Sequence, residues 1–361
     1  MIDLNSYTHT GIDLPGGRRI GHDASLFIIA EAGVNHNGDL GMALDLVDVA
    51  AEAGADAVKF QTFLAEHIIL RQAPKAQYHI DTTGPDSEQS WFELLKTQEL
   101  DRAQHEAIMR RCAERGILFM STPYDTPSVD ILDELDIALY KIASTDADNI
   151  PLLRHIASKG RPMILSTAMC AMEEVVASVE VIRKAGTGQL AVMQCTGSYP
   201  APADQANLLA MHEIARRCNV AVGYSDHVPG GVAAISAVAL GACCYEKHFT
   251  LNRNLPGPDH RASLEPDELK ALVRDLRMAE QVRGSGSKQV MPCEVENRDR
   301  LRKRLVAARA VSAGTRLTAD MVTAKRTGGA GLPPSRIDDV IGRTVTSDIE
   351  IDSPIGIKQL D

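Results

Sequence analysis

Two short stretches of the sequence each carry a pair of side chains that could bind a metal ion. Ser225 and His227 follow one apolar run, and Glu246 and His248 follow the next one along the chain. Each run resembles a buried strand, and residues two apart on a strand face the same way, so each pair would point into one space. Two imidazoles and a carboxylate at neighbouring strand ends are suitable ligands for a divalent ion with open positions. A lone histidine is more often a hydrogen-bonded core residue, but the matched placement on successive strands favours a site.

A second set of polar side chains indicates an anion site. Lys59 and Lys141 each stand in an apolar run, and hydroxyl groups are concentrated at the ends of the neighbouring runs. Two ammonium groups surrounded by hydroxyl donors would bind a phosphate or a carboxylate. Taken singly, a lysine with a packed stem or a serine in a turn is often structural. The hydroxyl residues are Ser121, Thr122, Ser144, Ser166 and Ser225.

Three carboxylates are candidates for acid–base chemistry beside these groups. Glu31 ends the first apolar run, Glu246 belongs to the last, and Asp259 lies in a proline- and glycine-rich loop that follows it. A carboxylate transfers protons when its pKa suits the reaction, and burial and nearby cations set that pKa. We therefore expect these three residues to be catalytic if the fold brings them together.

The elements that must position these groups repeat along the chain as apolar strand, polar loop and amphipathic helix. The helix predicted over residues 40–52, for example, has Asp39 to cap its start and Gly54 to end it. Eight such repeats predict an α/β protein with a closed (β/α)₈ TIM barrel rather than an open sheet, and in such barrels the active site lies at the carboxyl ends of the strands. The predicted strands are residues 26–30, 57–60, 117–120, 138–142, 163–165, 191–194, 220–223 and 242–245.

The sequence outside the barrel repeats has a different composition. We assign residues 1–24, which lack a clear period, to an N-terminal extension and residues 25–283 to the barrel. Residues 284–300, which begin Gly-Ser-Gly-Ser, are predicted to be a linker, and residues 301–361 a small domain of short strands. A segment of about sixty residues is marginal alone, so we expect the small domain to pack on another surface.

Composition limits the partners of this protein. The chain has 361 residues, a formal net charge of −10 and 44% hydrophobic residues. An acidic protein is a poor match for nucleic acid or an anionic membrane. Its seven cysteines show no Cys-x-x-Cys spacing, which favours reduced thiols in the cytoplasm. We expect no signal peptide and no membrane span, because the sequence has neither pattern.

Several of these stretches, taken in order, resemble the sialic acid synthase (N-acetylneuraminate synthase) family. The resemblance runs over residues 26–361, and its last part, Lys325-Arg326 before a glycine-rich loop, is similar to the family's SAF domain, which resembles type III antifreeze protein. The stretches that carry it are residues 29–38, 58–62, 140–144, 225–227, 246–250 and 257–263.

The resemblance implies condensation of phosphoenolpyruvate with an open-chain N-acetylhexosamine aldehyde, which gives a nine-carbon 2-keto-3-deoxy acid and phosphate. It implies that His227 and His248 bind Mn²⁺, with Mg²⁺ or Co²⁺ as alternatives, and that the ion polarises the aldehyde. Phosphoenolpyruvate would contact Lys59, Thr122, Lys141, Ser144, Ser166 and Ser225, and Glu31 would handle protons or orient water. Gln61, Tyr199 and Asp259 would hold the sugar. Arg326 would reach the sugar in the partner's barrel, in a domain-swapped homodimer.

Four positions depart from the family pattern, and other functions stay open. Gly197 stands where some members have Asn, Asp146 where some have Glu, Thr327 where Pro is usual, and Asp352 at a turn position that is often Gly. Synthesis of N-acetylneuraminate is the first prediction, and synthesis of N,N'-diacetyllegionaminate or pseudaminate is the alternative. A metal-dependent isomerase or aldolase on the same barrel, and a carbohydrate-binding protein without catalysis, are remoter alternatives.

Overall fold

The computed structural model describes residues 11–186 and 188–361. The contacts divide the chain into two compact units, one that ends at Gly284 and one that runs from Ser285 to Asp361. Residues 1–10 of the predicted N-terminal extension lie outside the described residues. Across the described part of the chain, no helix combines the length and the apolar character needed to cross a membrane.

The first unit is a closed barrel of eight parallel strands, as the sequence predicts. The barrel closes where its last strand, β10 (Cys244–His248), pairs with its first, β3 (Phe27–Gly33). Cys244 lies opposite Phe27 there, and His248 lies opposite Glu31. Most strands extend one to three residues beyond the predicted carboxyl ends, because the polar residues there continue the ladder, with side chains that alternate between the cavity and the outer face. The strands are β3 (Phe27–Gly33), β4 (Ala57–Thr62), β5 (Leu118–Pro123), β6 (Tyr140–Ile142), β7 (Met163–Ser166), β8 (Leu190–Cys195), β9 (Ala221–Asp226) and β10 (Cys244–His248).

Eight helices surround the barrel in the described part of the chain, and the first of them has the predicted capping residues at both ends. The Asp39 carboxylate accepts a hydrogen bond from the backbone N–H of Met42, and Gly54 ends the same helix in a left-handed conformation. The surrounding helices are α1 (Leu40–Ala53), α5 (Arg102–Arg115), α6 (Thr126–Glu134), α7 (Ile150–Ser158), α8 (Met172–Ala185), α9 (Ala210–Cys218), α10 (Val232–Ala239) and α11 (Pro266–Arg283).

The segment between β4 and α5 shows no strand or helix pattern in the sequence and would be expected to form a long loop, but the structure differs. It contains three short helices, α2 (Ala65–Ile68), α3 (Gln77–Thr83) and α4 (Trp91–Thr97). Each is too short to show a helical period in the sequence. Together they bring apolar and aromatic side chains to the rim of the barrel.

A hairpin lies in the region that the sequence analysis leaves without structure. Its strands are β1 (Ile12–Asp13) and β2 (Arg19–Ile20). Ile12 and Ile20 are fully buried and share a core cluster with Phe27, Ile29 and Met120, which point into the barrel. The hairpin therefore covers the amino ends of the strands, the end opposite to the polar residues.

The second unit has a small antiparallel sheet, β11 (Lys303–Ala307) with β12 (Val322–Arg326). Its own core includes Leu305, Leu317, Val345 and Ile355. The predicted linker contains a short helix, α12 (Val295–Leu301), which a mostly charged sequence does not reveal. Asp352 has a φ of 66°, so this departure from glycine does occupy a left-handed position.

Candidate active site

A cavity of about 970 Å³ lies at the carboxyl ends of the barrel strands. Arg326 is on β12 in the second unit, where its side chain is exposed. Apart from Ser121, the other predicted site residues come from several strands and the loops that follow them and converge on this one cavity, although their individual roles stay predictions. Those that line it are Glu31, Lys59, Gln61, Thr122, Lys141, Ser144, Ser166, Tyr199, Ser225, His227, Glu246, His248 and Asp259.

The two lysines form a buried network with two carboxylates. Lys59 Nζ lies 2.8 Å from Glu31 Oε2 and 3.6 Å from Glu246 Oε1. Lys141 Nζ lies 3.3 Å from the same Glu246 oxygen. All four side chains are at least 94% buried. In the absence of a bound anion, the carboxylates thus supply the negative charge that the two ammonium groups need.

Hydroxyl groups complete the surroundings of the lysines. Lys59 donates to Thr122 Oγ1 at 3.1 Å, and Lys141 donates to Ser166 Oγ at 2.7 Å. The Ser225 hydroxyl donates to Glu246 Oε1 at 3.4 Å. Ser144 lines the same wall of the cavity and accepts from the Ala168 backbone N–H. This arrangement can bind an anion with several oxygens.

Burial and pairing set the charges in this network. Burial raises the pKa of Glu31 to about 7, against the attraction of Lys59. Burial also disfavours the charged form of Glu246, but Lys141 and Lys59 outweigh it and lower the pKa of that carboxyl. Burial lowers the pKa of Lys141 and raises the pKa of Asp259 to about 6. Glu31, and Asp259 at somewhat lower pH, are therefore carboxylates that can exchange a proton near neutral pH.

The two predicted metal-binding histidines lie side by side, with ring centroids 5.6 Å apart. His227 Nδ1 lies 2.7 Å from the backbone oxygen of Thr196, so that nitrogen carries the proton and Nε2 keeps its lone pair. Nδ1 of His248 is buried and has no hydrogen-bond partner. Burial lowers the pKa of both imidazoles, His248 far below its usual value. Both rings are therefore neutral, the form that binds a metal.

These observations fit a divalent ion held by two imidazoles. An unpaired ring nitrogen in a polar cavity is what an absent ligand would leave. Among the described residues, however, no group of three or more His, Cys, Asp or Glu side chains has a metal-binding arrangement. The Glu246 carboxylate, considered as a third ligand from the sequence, is bonded to the lysines instead. Substrate oxygens or water would have to complete the coordination.

Another part of the cavity wall is aromatic. Tyr199 packs on His227 at a centroid distance of 4.0 Å and stacks on Tyr78 at 5.6 Å. Asp259 Oδ2 lies 3.9 Å from His248 Nδ1, and Gln61 lines the cavity beside it. Such a surface, with a few polar groups, suits the faces and hydroxyls of a sugar.

Sequence reasoning missed several cavity residues and misplaced one. Cys195 ends β8 and faces the cavity, and burial raises its pKa to about 11; alternation along β8 would have found it. Tyr78 and Tyr124 were missed because they lie outside the inward positions of the strands. Ser121, assigned to the anion site, faces outward and bonds to Thr62 at 2.6 Å, because it alternates with Thr122 on β5.

A barrel of eight strands with charged groups converging at their carboxyl ends defines a (β/α)₈-barrel enzyme. The chain matches the model of the NeuB family over residues 46–288 and that of the SAF domain over residues 302–361. It belongs to the NeuB family. The predicted sialic acid synthase family with a C-terminal SAF domain is confirmed.

Several relatives of this chain are synthases. It is 40% identical over 330 residues to the N,N'-diacetyllegionaminic acid synthase of Campylobacter jejuni. The matched region covers 91% of this chain and 98% of that protein. It is 36% identical to the N-acetylneuraminate-9-phosphate synthase of Homo sapiens, over 95% of both chains. The structure of an N-acetylneuraminic acid (sialic acid) synthetase from Leptospira borgpetersenii matches with a TM-score of 0.70 and 34% identity, over 80% of this chain and 95% of that chain. The prediction that the protein is a transferase-type enzyme agrees with the names of these relatives.

Proposed function

We propose that this protein is a nonulosonic acid synthase that condenses phosphoenolpyruvate with an uncharged 2-acetamido sugar aldehyde. The observation that carries the proposal is the convergence of two lysines and two neutral imidazoles on one cavity, beside an aromatic wall. N-acetylmannosamine is the first candidate for the sugar, with N-acetylneuraminate as the product. All seven cysteines are free thiols, which supports a site of action in the cytoplasm.

Phosphoenolpyruvate would occupy the lysine end of the cavity. Its phosphate and carboxylate would be bound by Lys59 and Lys141, with Thr122, Ser144, Ser166 and Ser225 as hydroxyl donors. The ligand would compete with Glu31 and Glu246 for the ammonium groups.

The sugar would lie against Tyr199, with Gln61 and Asp259 bonding its hydroxyl groups. The enol carbon of phosphoenolpyruvate attacks the aldehyde carbon, whose oxygen takes up a proton and becomes a hydroxyl group. Water adds to the resulting oxocarbenium carbon with loss of a proton, and the tetrahedral adduct expels phosphate by C–O cleavage, which leaves the 2-keto group. Glu31 in its ionised form accepts the proton of that water. His227 and His248 would hold a divalent ion, with Mn²⁺ first and Mg²⁺ or Co²⁺ as alternatives. When bound, the ion supplies Lewis-acid polarisation of the sugar's carbonyl oxygen.

The charges that line the cavity favour an uncharged sugar. Lys59 and Lys141 are the only lysine or arginine side chains among the described lining residues, and carboxylates already pair with both. Two further carboxylates, Asp146 and Asp259, line the same space. Within one subunit, a second phosphate, on the sugar, would meet these carboxylates rather than a free cation.

Incubation with phosphoenolpyruvate, Mn²⁺ and a panel of sugars tests this proposal. Phosphate and a 2-keto acid should form with N-acetylmannosamine or with a 2,4-diacetamido-2,4,6-trideoxy hexose, and not with N-acetylmannosamine 6-phosphate. Preference for the phosphorylated sugar would contradict the proposal that the sugar is uncharged, but not the proposal that the protein is a synthase. No product with any sugar of the panel would refute the synthase and favour an isomerase, an aldolase or a carbohydrate-binding protein.

The diacetamido sugar is the second candidate, for two reasons. The 40% identity to a synthase of an N,N'-diacetyl product exceeds the 36% identity to the synthase of Homo sapiens. In addition, Ile68, Ile69 and Leu70 line the cavity, and an apolar surface suits the methyl group of a 6-deoxy sugar better than a hydroxymethyl group. Pseudaminate synthesis is the remaining alternative, and its precursor belongs in the same panel.

The Glu31→Gln variant should change the pH dependence of the reaction. In the wild type, kcat/KM should rise as the pH increases through about 7, because the ionised carboxylate is the base. Glutamine cannot accept the proton, so kcat/KM should fall by about 10²- to 10⁴-fold and the rise should disappear. Asp146→Asn, which removes another carboxylate of the cavity wall, should keep the rise. If kcat/KM of Glu31→Gln still rises with pH between pH 5.5 and 9, the rise belongs to the ionisation of a different group.

Arg326 is proposed to complete the sugar end of a partner subunit's cavity in a domain-swapped homodimer. Arg326→Ala should then weaken sugar binding, with a raised KM for the sugar and little change in the KM for phosphoenolpyruvate. Mixed dimers of Arg326→Ala and Lys141→Met chains should regain activity, since one cavity of each mixed dimer would have both residues. Mixtures that stay inactive after the subunits exchange would rule out the swap.

A further inference from the structure

A buried charged cluster joins β9 and β10 on the face opposite to the cavity. Asp226 and Lys247 are paired in register, and Lys247 Nζ lies 3.2 Å from Asp226 Oδ2, with side chains 4% and 0% exposed. The Tyr245 hydroxyl donates to the same carboxylate oxygen at 2.6 Å. An ion pair in an apolar layer adds little net stability compared with packed apolar side chains. The position of this pair therefore needs another explanation.

The cluster bonds to the backbone next to both imidazoles. Asp226 Oδ1 accepts a hydrogen bond from the backbone N–H of Val228 at 2.8 Å, across His227. Lys247 Nζ donates to the backbone oxygen of Val228, and Lys247 directly precedes His248. One lysine of β10 thus bonds to the residues on both sides of His227.

The pleat of the strands explains how the cluster can act on the imidazoles without contacting them. Side chains alternate between the two faces of a strand, so residues 226 and 247 point outward while 225, 246 and 248 point into the cavity. Restraining the outward side chains restrains the backbone from which the inward ones project. The backbone oxygen of Thr196 orients the His227 ring from the other side.

We infer that Asp226 and Lys247 are positioning residues that hold His227 and His248 at the spacing needed for one shared ion. This inference rests on the proposed role of the two imidazoles. On this inference, the cavity face of β9 and β10 binds ligands, and the side chains of the outer face set the geometry of the two imidazoles. Groups beyond the direct ligands act in the same way in metal sites.

The test compares Asp226→Asn, Lys247→Met and the double variant with wild type. Each single change leaves one buried group without its charged partner and should lower Tm. The double variant leaves no unpaired charge, so Tm should recover. Its Kd for Mn²⁺, measured by calorimetric titration without substrates, should stay weaker by about 10- to 100-fold. Crystals of the metal-free double variant should show the two rings displaced from their 5.6 Å spacing.

A second ion pair of the barrel provides a matched control. Arg277 lies 2.7 Å from Asp56, which accepts a hydrogen bond from Ile28 near the start of β3, at the end remote from the cavity. Arg277→Met with Asp56→Asn should change Tm without changing the Kd for Mn²⁺. If the cluster variants do not fold, Tyr245→Phe, which removes one hydrogen bond to Asp226, should weaken Mn²⁺ binding in the same direction.

Two results would overturn the inference. One is a double variant that binds Mn²⁺ as tightly as wild type, and the other is a metal-free variant crystal in which both rings superpose on the wild-type rings. Either would make the cluster purely structural. If the wild-type protein binds no divalent ion, the proposed metal is refuted instead. The positions of the two imidazole rings in the metal-free variant crystal then decide by themselves whether the cluster holds the rings in place.

Discussion

The Lys141→Met variant should lose about 10²- to 10³-fold in kcat/KM for phosphoenolpyruvate, the loss typical of removing one preorganised charged contact to a reacting anion. Lys141 is almost fully buried, and its ammonium group bonds to two cavity groups, Ser166 and Glu246. Methionine keeps most of the side-chain volume but removes the ammonium group. The Glu246 carboxylate would then face the incoming anion with Lys59 as its remaining partner, which adds repulsion to the lost attraction.

A lysine with a similar number of ion pairs outside the cavity serves as the control for this variant. Lys159 contacts Asp130 at 2.6 Å and Asp133 at 3.7 Å on the outside of the barrel. Lys159→Met should therefore leave kcat/KM nearly unchanged. Circular dichroism and thermal melts establish that both variants are folded. A folded Lys141→Met protein within about tenfold of the wild-type kcat/KM would remove Lys141 from the anion site.

The His248→Asn variant should show the other large effect, a loss on the order of 10³-fold in kcat together with weak Mn²⁺ binding. His248 is neutral and buried, and its Nδ1 has no partner. Asparagine cannot place an equivalent nitrogen toward His227, so a single imidazole would remain to hold the ion. Extra Mn²⁺ should restore part of the activity if weak binding is the cause.

His212 provides the control for this variant, because it lies on α9 and its ring bonds to the backbone oxygen of Leu240, away from the cavity. His212→Asn should affect stability without affecting Mn²⁺ binding. Calorimetric titration with Mn²⁺ in the absence of substrates separates binding from catalysis. A His248→Asn protein with wild-type Mn²⁺ affinity would show that His248 is not a ligand.

The barrel and the convergence of its site could be predicted because both follow from local patterns. The eight strand–helix repeats are visible as alternating apolar runs, and the capping of α1 by Asp39 and Gly54 lies within a few residues of sequence. The carboxyl ends of parallel strands meet at one end of any such barrel. Polar residues at those ends, such as Lys59, Lys141 and His227, therefore had to lie near one another.

Other features depend on contacts between distant segments, which no local pattern encodes. Pairing of Lys59 with both Glu31 and Glu246 depends on the closure of the barrel between β3 and β10. The Tyr78 side chain reaches Tyr199 only through the packing of the helices between β4 and α5.

By itself, the sequence determined the class of fold, the face of each strand and the types of chemical group available to the site. The tertiary structure alone decided which of those groups neutralise one another, which imidazole nitrogen is unpaired and which end of the barrel is closed by the N-terminal hairpin. The physical reason is that strand periodicity acts over two residues, whereas charge pairing and burial depend on register and packing across the whole barrel.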